Sequence, residues 1–268
     1  MAESRNSANT VTLGGASGYW GESDMAWAQL IGASPDYLVF DYLAEITMSL
    51  LARMRARDPQ SGWVPDFAAG LARHLPDIAS RRIKVIANAG GVNPEACAEA
   101  ARRAVAAAGL ELKVSVVTGD ELMDRLDVLE GRKELFSGES FPETDRILSA
   151  NAYLGAFPIA RALDAGADIV ITGRCVDSAV TLGALIHEFG WGPDELDRLA
   201  QGSLVGHLIE CGPQVTGGNF TDWREAGDIA RIGYPLAEVE ADGTAVITKP
   251  DGTQGIVNRG TVAEQMLY

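Results

Sequence analysis

The stretch IKVIANAGGVNPEACAEAARRAVAAAGL, Ile83–Leu110, holds a strand, a loop and a helix in succession. Ile83 to Ala87 is a short apolar run of strand type. Asn93 is an N-cap, Pro94 suits the first helical position, and Gly109 suits the stop. Between them Cys97, Ala100, Ala101, Ala104, Val105 and Ala108 keep helical spacing. A strand that passes through a short glycine loop into a helix is the first half of a βαβ unit.

The same rhythm recurs on both sides. Val11–Leu13 predicts a strand, and Tyr37–Phe40 another, followed by a helix from about Leu43 to Arg55. Lys113–Val117 predicts a fourth strand, after which Asp120 caps an acidic helix. Ala150 to Ala165 reads as a helix that Pro158 could kink. Ile169–Ile171 is a fifth strand, with an apolar helix from Ser178 to Phe189. Strands alternating with helices predict an α/β fold. The expected form is a mostly parallel sheet with helices on both faces, doubly wound and Rossmann-like. A closed barrel would need more units. The rhythm stops near Pro213, so residues 11–212 are expected to form an α/β domain with a ligand site at the strand ends. Residues 213–268 then supply a glycine-rich segment, a β-hairpin around Asp242-Gly243 and a terminal helix from about Thr261, packed on the first domain.

The 268 residues carry a net charge of −15, which disfavours a nucleic-acid partner. Three cysteines, odd in number and widely spaced, predict reduced thiols and a cytoplasmic location. Residues 1–10 lack the basic start and apolar core of a signal peptide. No long apolar run predicts a membrane span.

In open α/β sheets ligands bind beyond the carboxyl ends of the strands. The first strand leads into Gly15, Ser17 and Gly18, and the third into Asn88, Gly90, Gly91 and Asn93. Both loops could bring backbone N–H groups to an anion, or be ordinary tight turns. The fifth leads into Thr172, Gly173, Arg174 and Asp177. Arg174 could clamp a carboxylate or phosphate, or pair with Asp177. Asp41 and Glu45 follow the second strand and share a face if helix begins at once. They are candidates for general acid and base, or for holding a divalent metal through oxygen; capping by Asp41 is the plainer reading. His207 and Glu210 are three apart and form a candidate proton-transfer pair, or a packed histidine with its partner. His74 and His187 read as structural, and Cys175 as a small apolar filler more readily than a nucleophile.

Seven blocks taken in order carry a resemblance: Gly14–Gly21, Asp36–Met48, Asn88–Pro94, Ser149–Gly155, Ile171–Arg174, His187–Trp191 and Glu210–Trp223. From about residue 12 onward the chain resembles the acyclic terpene utilisation AtuA family. The resemblance implies a bacterial cytosolic protein of branched terpenoid catabolism, such as that of citronellol and geraniol, which works on coenzyme A thioesters. It supplies no catalytic residues, so the site set rests on the strand ends. Family members generally run on past the final helix, so the chain looks like an N-terminal portion or a short form.

The expected function is a hydratase or lyase acting on a branched acyl-CoA or related carboxylate. Arg174 and the glycine loops would hold the anion. Asp41 or Glu45 would move one proton, and His207 with Glu210 another. Coenzyme A enters as part of the substrate. No nicotinamide fingerprint is present, and no metal is required by the spacing, although the carboxylates leave room for one. The alternative is a non-catalytic ligand-binding or accessory subunit. The amphipathic pattern still running at Tyr268 suggests a homo-oligomer or association with a further subunit through Val262, Met266 and Leu267.

Overall fold

The computed structural model describes residues 10–268; the polar segment 1–9 lies outside the described residues. Seven strands form one mixed, mostly parallel sheet. They are β1 (Thr10–Gly15), β2 (Tyr37–Phe40), β3 (Lys84–Ala87), β4 (Val114–Val117), β5 (Ile169–Thr172), β6 (Leu236–Glu240) and β7 (Ala245–Thr248). Their order is β4-β5-β3-β2-β1-β6-β7. The first five run parallel, and β6 pairs antiparallel with both β1 and β7. The C-terminal strands therefore extend the main sheet at the β1 edge.

Alternating side chains divide the core between the two faces of the sheet. On β2, Leu38 and Phe40 join one cluster and Tyr37 and Val39 the other. The first face is covered by α1 (Met25–Ala33), α2 (Glu45–Arg57), α3 (Pro65–Arg81) and α4 (Pro94–Ala107). The second is covered by α5 (Phe157–Asp164), α6 (Ala179–Phe189) and α7 (Leu196–Glu210). A last helix, α8 (Arg259–Leu267), is tied to α7 where Gln265 Nε2 donates to the His207 carbonyl, 3.0 Å. Asn93 caps α4 as its sequence predicts, accepting from Ala96 N.

Two helix expectations are corrected. No α-helix follows Asp120: its carboxylate instead accepts from Arg174 N at 2.8 Å and Asn151 Nδ2 at 2.9 Å. A buried carboxylate that pins two chain segments cannot also cap a helix. Residues 150–156 are not helical, and α5 begins only at Phe157. Pro158 sits in its first turn, where a missing N–H costs nothing, so it starts the helix and does not kink it.

Candidate functional site

The carboxyl ends of β1, β2, β3 and β5 lie side by side, and the segments after them meet the end of α7. Glycines decide how closely. A Cβ on Gly15 would run into the Ile209 carbonyl, and one on Gly18 would lie 2.7 Å from Cys211 C. Only a bare backbone lets the last turn of α7 reach the end of β1. That approach carries Glu210 to the end of β2, where Asp41 sits. Sequence neighbours could not have revealed the meeting.

Asp41, Asp177 and Glu210 each offer a carboxylate oxygen, and these oxygens lie within 4.8 Å of one another. Asp41 is buried, accepting from Asn88 Nδ2 and, at 3.3 Å, from Leu43 N. Asn88 Oδ1 accepts in turn from Tyr42 N at 2.8 Å, which fixes the amide. Two like charges about 5 Å apart repel by about 3 kcal/mol at an effective dielectric constant of 20. Three carboxylates this close, two of them buried, therefore do not all ionise together. Burial, then the charge of Asp177, raises the Asp41 pKa well above the usual carboxylate range. Burial, then Asp177 again, pushes Glu210 up to about 8. His207 Nδ1 lies 3.0 Å from Glu210 Oε1 and links it to the partly open side of α7.

Arg174 is the positive counterweight. Its side chain is only 3% exposed; Nη1 donates to Asp177 Oδ1 at 2.5 Å and to the Cys175 carbonyl at 3.1 Å. Its other arm is 3.5 Å from Glu45 Oε1, and its guanidinium lies 4.0 Å from the centre of the Tyr153 ring. Tyr153 also donates to Glu45. Pairing with Asp177 thus takes up much of the guanidinium. Gly173 serves the same corner, because a Cβ there would stand 2.5 Å from Asp120 Oδ1.

The strand-end candidates separate into groups. Asp41, Asp177, Glu210, His207, Arg174 and Asn88 converge. Glu45 does not share a face with Asp41: α2 begins at Glu45, so Asp41 stays in the preceding extended segment and turns inward. Glu45 is exposed, and the Tyr153 hydroxyl, followed by its own backbone, lowers its pKa. Ser17 and Gly18 border the cluster, but Gly18 N donates to Glu22 Oε2 at 2.7 Å and Ser17 Oγ to the Tyr19 carbonyl. Around Gly90, Gly91 and Asn93 the N–H groups are also used internally. Gly90 N donates to the Thr172 carbonyl, Val92 N to that of Gly62, and Asn93 N to that of Gly90. Asn93 Nδ2 donates to the Pro59 and Ser61 carbonyls. Thr172 is buried and donates to the Gly173 carbonyl. These loops hold the strand ends together and do not offer a row of free donors to an anion.

Cys175 is buried, which pushes its thiol up to about 12, in keeping with a small apolar filler. His74 stacks on Trp27, and His187 pairs with Asp164 at 2.6 Å. Tyr153 is the site residue that sequence reasoning passed over, and Asp120, read there as a helix cap, instead accepts from Arg174 N and Asn151 Nδ2. Tyr153 lies within Ser149–Gly155, where a helix reading hid the extended backbone that brings it to Arg174. An oxygen-only set of three carboxylates is the donor chemistry of Mg²⁺ or Ca²⁺, and Asp41, Asp177 and Glu210 are the residues that could hold such an ion.

These features define an α/β protein with a clustered-carboxylate site at the strand ends of a mostly parallel sheet. The chain belongs to the acyclic terpene utilisation family AtuA, whose model matches residues 11–268. Comparison with curated proteins and with solved structures gives no match. No described helix is long and apolar enough to cross a membrane.

Proposed function

We propose that this protein is a hydratase or lyase of branched acyclic terpenoid breakdown, acting on an acyl-CoA thioester or a related carboxylate. Family membership supports the terpenoid setting. The observation that carries the reaction class is the meeting of Asp41, Asp177 and Glu210 beside Arg174 and His207. A carboxyl group that burial keeps protonated serves as a general acid beside a second carboxyl group held by a guanidinium. Glu210, raised to about 8, keeps its proton at neutral pH and acts as the acid. Asp177, held by Arg174, is the carboxylate that accepts a proton. In hydration, the base takes a proton from water as its oxygen bonds to the β-carbon. The acid then protonates the α-carbon. Cleavage uses the same pair, the base taking the proton of a β-hydroxyl as the carbon–carbon bond breaks. His207 returns protons between Glu210 and solvent.

The test is turnover of geranyl-CoA, followed for both hydration and cleavage, by wild type and Glu210→Gln. Loss of about 100-fold or more in kcat is expected from removing a general acid. Equal turnover by the variant would remove Glu210 from the mechanism. Activity of neither protein on any thioester or free acid tested would favour the second reading, an accessory subunit. Met266 and Leu267, exposed at the end of α8, support association with another chain or a second copy, whereas Val262 of the expected strip packs against the core instead.

A further inference from the structure

A cavity of about 620 Å³ has Arg174 in common with the carboxylate cluster but is lined by none of Asp41, Asp177 and Glu210. That size is typical of small-molecule sites. Its floor is one face of α2. Glu45, Ser49 and Arg53 recur every four residues along it, with Met48 and Ala52 between. Its roof comes from Leu122, Leu129, Phe141 and Leu148. The inner end is formed by Glu45, Tyr153 and Arg174. Eight helical residues separate Glu45 from Arg53, a distance of about 12 Å. The cavity is therefore an apolar slot about two turns of helix long.

Two cations line this slot with no carboxylate to answer them. Arg53 and Arg146 both border it, and among the described residues neither forms an ion pair. Both arginines are exposed, so their guanidinium groups are open to a ligand from solvent. Two exposed, unpaired guanidinium groups bordering a mostly apolar slot match an anion supplied from outside.

We propose that the slot binds an aliphatic carboxylate of medium chain length. Its carboxylate rests on Arg53 and Arg146, and its chain runs along α2 towards Tyr153 and Arg174. This goes beyond the proposed function, whose chemistry at the α- and β-carbons is left to the carboxylate cluster, and the binding itself needs no turnover.

Calorimetric titration of hexanoate, octanoate and decanoate into the full chain tests it. Affinity is expected to rise along the series, because each buried methylene adds about 0.8 kcal/mol, or roughly fourfold. The double variant Arg53→Ala/Arg146→Ala should bind decanoate about tenfold or more weakly, as expected for lost charge-assisted bonds. Ser49→Trp, which fills the floor of the slot, should abolish binding. All three side chains are peripheral to the buried core, and circular dichroism confirms that the variants fold. Flat affinity along the series, or decanoate binding indifferent to both variants, overturns the proposal. So does tight binding of octanoyl-CoA with none of octanoate, which would give the arginines to phosphate. These outcomes are read in binding, whereas the acid–base reading fails on the turnover of Glu210→Gln, so the two failures are distinct.

Discussion

Replacing Glu210 with Gln should make the protein more stable at alkaline pH while stopping its chemistry. In the folded state burial and Asp177 push Glu210 from an ordinary 4.5 up to about 8. Between those values the folded protein holds a proton that the unfolded chain has released. Stability therefore falls as pH rises through this window, since it rises with pH only where the unfolded state binds more protons. The full shift corresponds to about 4 to 5 kcal/mol, at about 1.4 kcal/mol per unit. Solvent reaching the open side of the cluster near Asp177 reduces this to a few kcal/mol. Glutamine keeps the shape and the hydrogen bond to His207 but never ionises. The variant and wild type should melt within a few degrees of each other near pH 5. By pH 9 the variant should melt about 5–10 °C higher, at roughly 2–4 °C per kcal/mol for a chain of this size. Differential scanning calorimetry at half-unit pH steps measures this. Parallel curves across the whole range would refute the idea that Glu210 is a strained, protonated acid. Asp41, raised by the same causes, leaves some decline with pH in the variant as well.

Two further substitutions probe how the site is built. Arg174→Met leaves the Asp177 carboxylate unpaired beside Asp41 and Glu210, and urea denaturation should register a loss of about 2–3 kcal/mol; unchanged stability would show that Arg174 does not hold the cluster together. Gly15→Ala drives a methyl group into the Ile209 carbonyl and should cost about 2–3 kcal/mol, whereas Gly32→Ala in α1, with open space around it, should be neutral or slightly stabilising. Equal effects of the two alanines in the same denaturation assay would contradict the account of how α7 reaches β1.

The sequence alone determined the layered α/β character. Short apolar runs such as Tyr37–Phe40 and the capped helix after Asn93 are local signals, each contained in a few neighbouring residues. It missed α3 as a separate helix, although Pro65 sits at its start as Pro94 does for α4. It also read Asp120 as a helix cap and residues 150–156 as helical, because local propensity cannot anticipate a carboxylate tied to two distant segments. Candidate site residues were legible as polar interruptions at strand ends, since a strand's carboxyl end is a topological fact that the βα rhythm already contains. Which of them meet was decided only by the tertiary structure. Asp41 turned from its neighbour Glu45 to Glu210, 169 positions away, because bare glycine backbone at Gly15 and Gly18 admits the end of α7. Arg174 turned to Asp177 and Tyr153 because burial makes an unpaired guanidinium costly. Acidity followed the same rule. No spacing of carboxylates along a chain sets a pKa; burial and the charges brought within 5 Å of each other do.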